Sequence, residues 1–162
     1  MLVRRGQAAD AEGIRQIYNA AVLTSTATLD LVPRSGSEQR SWMAAHQGVY
    51  PVIVVEGDGG EILAFSALSP YRPRPGYATA VEDSVYVAEN HRRRGIGRLA
   101  LEAALETALS HGFHSVVGRI VTEQQASIGL HLACGFEIVG IEKEIGRKFG
   151  RWLDVALVQR ML

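Results

Sequence analysis

The stretch of sequence that decides the fold is Val85-Tyr86-Val87-Ala88-Glu89-Asn90-His91-Arg92-Arg93-Arg94-Gly95-Ile96-Gly97-Arg98-Leu99. Its apolar start is typical of a strand, and the apolar spacing that follows Gly95 predicts a helix. The first N–H groups of a helix have no internal acceptor, and the helix dipole adds positive potential there. Glycine lets those groups approach a ligand closely because no Cβ intervenes. The stretch therefore predicts an anion site at the helix start, surrounded by arginines.

Residue chemistry alone leaves two interpretations of this loop open. In the first, the loop holds a pyrophosphate. In the second, its arginines are a solvated helix start and its glycines form a tight turn. The loop is not a Walker motif, since it lacks the Gly-Lys-Ser/Thr ending, and it is not a Rossmann fingerprint, since it lacks Gly-x-Gly-x-x-Gly. The ligand of this loop therefore has to be inferred from other segments of the chain.

The composition is that of one ordinary globular domain. The chain has 162 residues, 47% apolar and 21% charged, so we expect a single domain over residues 1–162. Lysine plus arginine equals aspartate plus glutamate at 17 each, which gives no reason to expect nucleic-acid binding. The lack of a signal peptide or long apolar run predicts a cytoplasmic protein without a membrane partner. Cys134, the only cysteine, excludes an internal disulfide and is expected to be buried.

Hydrophobic periodicity predicts an α/β chain with the order β-α-α-β-β-β-α-β-α-β-β. The predicted strands are Leu2–Arg5, Val52–Glu56, 61–68, Ala80–Val87, Ser115–Val121, 136–145 and 151–162. The predicted helices follow an N-cap at Asp10, open at residues 37 and 95, and span Gln125–Ala133. The apolar positions that indicate the third helix are Leu99, Leu101, Ala104, Leu105 and Ala108. This order predicts a mixed sheet with helices on both faces.

Arg92-x-x-Gly95-x-Gly97 after a strand resembles the Arg/Gln-x-x-Gly-x-Gly/Ala pyrophosphate loop of the GNAT acetyltransferase superfamily. The element order is similar to that fold over essentially the whole chain. The resemblance implies a single-domain GNAT fold, with a mostly antiparallel sheet of about seven strands. It also implies acetyl-CoA as co-substrate and no metal. In that superfamily the strand before the loop splays from its neighbour, so residues 85–87 would contact the pantetheine arm and residues 92–98 the pyrophosphate.

A second segment, residues 124–136, resembles the superfamily motif Asn-x-x-Ala/Ser-x-x-Leu-Tyr-x-x-x-Gly-Phe. Gln124 stands where asparagine is usual, and the resemblance implies that Gln124 and Ser127 contact the coenzyme. His131 stands where many members carry the tyrosine that protonates the coenzyme thiolate. A histidine suits that role because its pKa lies near neutrality, although a lone histidine on a half-buried helix face is the commoner case.

Glu82 is a candidate general base, since acetyl transfer needs a neutral amine and a carboxylate on this strand could accept the ammonium proton. On chemistry alone, Glu82 and Asp83 could equally mark a wet strand start. A closer resemblance favours catalysis. The segments at 82–92, 127–136 and 148–155 are similar to three signatures of the phosphinothricin/methionine sulfoximine acetyltransferases. That resemblance implies acid/base roles for Glu82 and His131, with the Tyr86 hydroxyl in the same cleft.

The same resemblance implies the acceptor, the α-amine of a small amino acid with an oxidised sulfur or a phosphinate group. Arg72 and Arg74 match the family's basic substrate loop, and a guanidinium can bind a carboxylate bidentately. Two arginines on an exposed loop are the structural alternative. Leu29 replaces a usual phenylalanine in the first substrate loop. The turn at residues 149–151 implies a homodimer, because in relatives it lies partly across a dimer contact.

Two other functions stay open at this point. One is a different GNAT activity, on a protein N-terminus, a lysine or a polyamine. A polyamine site would need acidic residues, whereas Arg72 and Arg74 are basic, and a peptide site would need an open groove. The other is a non-catalytic acyl-CoA-binding domain, against which Glu82 and His131 argue.

Overall fold

A computed structural model describes residues 1–162 as one seven-stranded sheet with four α-helices. The strands are β1 (Leu2–Arg5), β2 (Val52–Glu56), β3 (Ile62–Pro70), β4 (Ala80–Val87), β5 (Ser115–Val121), β6 (Glu137–Lys148) and β7 (Arg151–Met161). The α-helices are α1 (Ala11–Thr24), α2 (Gly36–Ala45), α3 (Ile96–Ser110) and α4 (Gln125–Ala133). None of them combines the length and the apolar composition that a bilayer-spanning helix requires. The predicted order of elements is confirmed.

The order across the sheet is β1-β2-β3-β4-β5-β7-β6, and all neighbours are antiparallel except β4 and β5. This parallel pairing is short, with three residue pairs that end at Glu82 and Val117. Beyond it, β4 continues to Val87 while paired only with β3. The predicted splay is therefore present, and the two strands separate directly after Glu82.

Alternate residues of the central strands face two helical layers. Val54 and Phe65 pack with α1 and α2 on what we call the α1 face. Leu68 and Val116 pack with α3 and α4 on the opposite α3 face. Successive side chains of β4 alternate in the same way, and this alternation sorts the residues of the site described below.

The start of α1 differs from the sequence-based expectation. Asp10 does not cap α1, because it is itself helical (φ −80°, ψ −8°). Its carboxylate instead accepts hydrogen bonds from the Gln7 N–H at 2.7 Å and from the Arg4 guanidinium at 2.8 Å, which ties the turn before α1 to β1. Leu99 is 39% exposed, since α3 directs Ile96 and Ala100 towards the sheet on either side of it.

Cys134 follows α4 directly, where Gly135 ends the helix. Its side chain is buried, as expected, and its thiol is free. Burial raises the pKa of this thiol, so the thiol stays protonated near neutral pH.

Candidate active site

The loop before α3 presents a row of free backbone N–H groups. The N–H groups of Arg93, Arg94, Gly95, Ile96 and Gly97 donate to no acceptor in the chain. Arg93 and Gly95 have left-handed φ angles of 60° and 77°, a backbone form that gathers successive N–H groups into an anion-binding concavity. A Cβ on Gly95 would meet no atom within 4 Å, so glycine is favoured there by its backbone angle rather than by crowding.

Gly97 is needed for a different reason. A Cβ at this position would lie 3.1 Å from Cγ2 of Val87 and 3.3 Å from Cδ2 of Leu130. The first turn of α3 therefore packs directly against the end of β4 and against α4. This close approach brings the free N–H groups to the end of β4.

The arginines of the loop differ in how they are held. Arg92 donates from Nε to the carbonyl oxygen of Val87 at 3.4 Å, and Arg98 forms an ion pair with Glu102 at 2.7 Å. Arg93 and Arg94 are exposed and have no acidic partner in the chain. Their charges are therefore available to an anion beside the free N–H groups.

Beyond Glu82, one edge of β4 faces the gap left by β5. The Ala88 N–H donates to the carbonyl of Leu63 on the β3 side at 2.8 Å. Since backbone groups alternate along a strand, those of Tyr86 also face β3, and those of Val85 and Val87 face the gap. The gap thus offers unpaired strand groups to an extended ligand. Tyr86, predicted alongside its neighbours as a coenzyme contact, turns its backbone away from this gap.

Glu82 lies where β4 and β5 separate, with its side chain on the α1 face. It is half-buried, and its carboxylate accepts no hydrogen bond from the chain. Burial raises the pKa of this carboxyl, the charge of Arg119 opposes that rise, Asp83 adds to it, and Arg72 opposes it. An unpartnered carboxylate with a raised pKa suits the acceptance of a proton near neutral pH.

Tyr86 shares the α1 face with Glu82. Its ring stacks on Phe65 and meets Tyr18 edge-on, with ring centroids 5.2 Å apart in both cases. Burial raises the pKa of the Tyr86 hydroxyl, so the group stays neutral and can donate. Its one acceptor in the chain is the Ala27 carbonyl, at a long 3.5 Å.

The basic loop after β3 carries Arg72 and Arg74, both exposed. The Arg72 guanidinium lies 5.1 Å from the centre of the Tyr71 ring, and its charge reaches the Glu82 carboxyl. The Arg74 guanidinium has no hydrogen-bond or ion-pair partner in the chain, and Arg74 is not among the charges that act on Glu82. The structure therefore brings Arg72, but not Arg74, to the candidate base.

Residues 25–31, the acceptor loop, are tied to the sheet from two sides. Thr26 is buried, donates to Glu123 at 2.6 Å and accepts from the Gln124 amide at 2.9 Å. Lys148 is buried as well and donates to the Thr28 carbonyl at 2.8 Å. The Gln124 amide, predicted as a coenzyme contact, thus holds the acceptor loop in this structure.

Leu29 packs over Gly146 of β6. A Cβ on Gly146 would lie 2.7 Å from Cδ1 of Leu29, so the leucine occupies the space that a larger residue 146 would need. Leu29 is nevertheless 39% exposed. It therefore forms an apolar surface at the edge of the α1 face.

A model of the Acetyltransferase (GNAT) family matches residues 14–136. The chain belongs to this family. An L-methionine sulfoximine/L-methionine sulfone acetyltransferase of Pseudomonas aeruginosa is 40% identical to it over 159 residues, 97% of this chain and 92% of that protein. This GNAT chain is accordingly an N-acetyltransferase.

Solved structures of GNAT relatives have the same fold. A ribosomal-protein-alanine N-acetyltransferase from Brucella melitensis superimposes with a TM-score of 0.97 at 35% identity, covering 100% of both chains. A phosphinothricin acetyltransferase from Sinorhizobium meliloti, solved in complex with acetyl-CoA, has a TM-score of 0.95 at 34% identity, covering 99% of this chain and 88% of that one. The predicted GNAT fold is confirmed.

His131 of this GNAT chain is buried on the α3 face, across β4 from Glu82. Its Nδ1 donates to the Ser127 carbonyl at 2.7 Å, and its Nε2 lies 3.0 Å from Asp83 Oδ2. Burial alone would lower the pKa of His131, but the Asp83 carboxylate and the Ser127 carbonyl outweigh it and raise this pKa. The ring therefore favours the doubly protonated form and donates from both nitrogens. The structure does not bring His131 and Glu82 together.

Asp83 is a residue of the site that the sequence did not identify. The sequence left a wet strand start open for it, but it is 5% exposed and its Oδ1 has no hydrogen-bond partner. The alternation of side chains along β4 could have indicated this burial, because Asp83 lies on the same strand face as the apolar residues Val81 and Val85. No local sequence pattern could have indicated the hydrogen bonds that hold the acceptor loop, because Thr26 and Glu123 are 97 residues apart.

No group of three or more His, Cys, Asp or Glu side chains is arranged to hold a metal ion.

The Asp83–His131 pair predicts opposite shifts for two histidines. We expect His131 to titrate above its ordinary pKa of 6.5 and His46 below it, because burial lowers the pKa of His46 without a carboxylate partner. NMR titration of the imidazole Cε1–H signals measures both, and His131→Gln assigns the His131 signal. Asp83→Asn should lower the pKa of His131 and leave that of His46 unchanged.

The sign of the stability effect follows from the same shift. Because the folded pKa of His131 is raised, its contribution to the free energy of unfolding is complete below pH 6.5 and is lost as pH rises through the folded pKa. A His131 pKa at or below 6.5 in the folded protein would contradict the ion pair.

Proposed function

We propose that this acetyltransferase transfers the acetyl group of acetyl-CoA to the α-amine of a small amino acid such as methionine sulfoximine, methionine sulfone or phosphinothricin. The observation that carries the proposal is the unpartnered Glu82 carboxylate at the point where β4 and β5 separate, with Arg72 in electrostatic range. The names of the Pseudomonas and Sinorhizobium relatives support the acceptor class.

The residues present fit acetyl-CoA, which supplies an activated acetyl thioester when bound. The free N–H groups of residues 93–97 and the charges of Arg92, Arg93, Arg94 and Arg98 would hold its pyrophosphate. The gap-facing backbone of Val85 and Val87 would hold the pantetheine arm by strand-like hydrogen bonds. Ser127 and Gln124, at the start of α4, complete the proposed coenzyme side of the cleft.

On the acceptor side, Glu82 removes a proton from the ammonium group, directly or through a water molecule. The freed amine can then form the amide bond, while the coenzyme leaves as a thiol after taking up a proton. Arg72 and Arg74 bind the acceptor carboxylate, the Tyr86 hydroxyl donates into the cleft, and Leu29 borders the acceptor side chain. The raised pKa of Glu82 keeps the carboxylate basic enough for this task.

The proposed role of His131 as the proton donor to the thiolate carries a structural requirement. Both ring nitrogens already donate, to Ser127 and to Asp83, so one N–H has to leave its partner to reach the sulfur. The raised pKa of His131 supports the presence of a proton to give. Asp83 would remain as the counter-charge in the pocket.

A second candidate acceptor is the N-terminal alanine of a protein, supported by the name of the Brucella relative. Both reactions use an α-amine and the same coenzyme. They differ in the acceptor carboxylate, which is free in an amino acid and absent from the N-terminal residue of a protein. Arg72 favours the amino acid because it has no ion-pair partner in the chain and its charge reaches the candidate base Glu82.

An assay of thiol release from acetyl-CoA separates these acceptors. We expect turnover with methionine sulfoximine, methionine sulfone or phosphinothricin, and a much lower kcat/KM with an alanine-initiated peptide or a polyamine. The α-carboxamide of each amino acid is the matched control, because it keeps the amine and the side chain but replaces the carboxylate with an uncharged amide. Turnover of the peptide and of none of the amino acids would reject the proposed acceptor class.

Glu82→Gln tests the proposed base. We expect kcat to fall by about 10²–10⁴-fold, the usual contribution of a general base, with the affinity for acetyl-CoA nearly unchanged. In the unaltered enzyme, activity should fall as pH drops through the raised pKa of Glu82, and this acid limb should vanish in the variant. Glu106→Gln, an exposed charge on α3, is the control. Unchanged turnover in Glu82→Gln would remove Glu82 from the mechanism.

We also propose a homodimer, a cytoplasmic location and no nucleic-acid or membrane partner. Support for the dimer comes from the edge strand β6, the following turn and the start of β7, where large apolar side chains are exposed: Ile138, Val139, Ile141, Ile145, Phe149 and Trp152. An exposed apolar strand edge is unusual for a monomer. The proposed cytoplasmic location is supported by the need for acetyl-CoA, which the compartment has to contain. The net charge of zero supports the lack of a nucleic-acid partner.

Sedimentation velocity tests the dimer. We expect the mass of two chains for the unaltered protein and a shift towards one chain for Ile141→Lys, because a charge on the edge of β6 would be buried in the interface. Leu109→Lys replaces an equally exposed apolar residue on α3 and should remain dimeric. A monomer before any substitution would refute the proposal.

A further inference from the structure

An ion pair crosses the acceptor side of the sheet from β5 to β6. Arg119 donates from Nη2 to Oε2 of Glu142, and the two side chains are 32% and 29% exposed. The strand β7 lies between them, with Leu157 opposite Arg119. The pair therefore lies along the sheet surface, where it is partly exposed to solvent.

Arg119 lies close to the candidate base. Glu82 is paired with Val117, and Arg119 is two residues further along β5, so its side chain is on the same α1 face. Because β4 and β5 separate after the Glu82–Val117 pair, Arg119 lies just past this separation, where the gap between the strands is open to the side chain of a small amino acid. Arg119 also exerts the strongest charge effect on the Glu82 carboxyl, ahead of Arg72.

The pair offers hydrogen-bond donors without a net charge. Glu142 takes one N–H of the guanidinium, and Arg119 donates to no other acceptor in the chain. A guanidinium carries several further N–H donors in a fixed plane. Because the Glu142 carboxylate cancels its charge, these donors suit a neutral oxygen, such as that of a sulfone or sulfoximine. A phosphinate anion would meet the same donors beside two carboxylates, Glu142 and Glu82.

We propose that the Arg119–Glu142 pair is a specificity determinant of the acetyltransferase, in which Arg119 donates to the side-chain oxygen of the acceptor and Glu142 sets a preference for neutral oxidised sulfur over phosphinate. This rests on the proposed function, since it concerns the same acceptor. In this arrangement Arg72 and Arg74 bind the α-carboxylate of the acceptor, and the Arg119–Glu142 pair contacts its side chain.

The test compares kcat/KM for methionine sulfone and phosphinothricin. For the unaltered enzyme we expect the sulfone to be preferred. Glu142→Gln should shift the sulfone-to-phosphinothricin ratio by ~tenfold or more towards phosphinothricin, because the charge of Arg119 is then unopposed. Arg119→Gln should lower kcat/KM for the sulfone by a similar ~tenfold or more, and Arg119→Lys, which keeps the charge but not the planar donors, should fail to restore it.

Controls separate specificity from folding and from the proposed function. The KM for acetyl-CoA should not change in any variant, and Glu137→Gln removes the same charge from an exposed position on β6 without altering the ratio. Arg119→Gln should also move the acid limb of the pH profile to higher pH, which a structural role would not do. If amino acids are turned over and the ratio stays within about twofold in both Glu142→Gln and Arg119→Gln, the specificity role is refuted and the proposed function stands. Absence of turnover with every amino acid refutes both.

Discussion

The separation of β4 from β5 after only three residue pairs is the constraint on which the site depends. A parallel pair that continued to Val87 would use up the backbone groups that now face the gap. Because β3 still pairs with β4 along this length, the strand stays rigid although one of its edges is open. The first turn of α3 then meets the open edge through Gly97, which aligns an anion site with a strand-like cleft.

The candidate proton acceptor and the candidate proton donor lie on opposite faces of β4. Glu82 and Tyr86 lie on the α1 face with the acceptor loop and the Arg119–Glu142 ion pair, whereas Asp83 lies on the α3 face with His131. Consecutive carboxylates thus have different surroundings, one unpartnered with its pKa raised by burial, the other fully enclosed and paired with a cation. A buried pair of charged groups is costly to desolvate, and Oδ1 of Asp83 lacks a hydrogen-bond partner that would offset this cost.

Much of this arrangement can be predicted from the sequence, because it depends on residues that are close together in the chain. Strand alternation, the helix start at Gly95 and the glycine that ends α4 each depend on a few consecutive residues, and the order of elements then limits the sheet to few topologies. Long-range pairs are different. Lys148 meets Thr28 across 120 residues, and Arg119 meets Glu142 only because β7 inserts between β5 and β6. Such contacts depend on register, and residues 137–146 contain two irregularities of pairing that no local pattern indicates.

The enclosed position of Cys134 has a practical consequence for observing the reaction. The chain carries a single sulfhydryl, it is 5% exposed, and burial keeps it in the unreactive protonated form. A thiol-selective dye added to the folded enzyme therefore labels the released coenzyme and not the catalyst. Unfolding at the end of α4 exposes Cys134 to the same dye. Turnover and loss of structure can therefore be followed with one reagent in separate experiments.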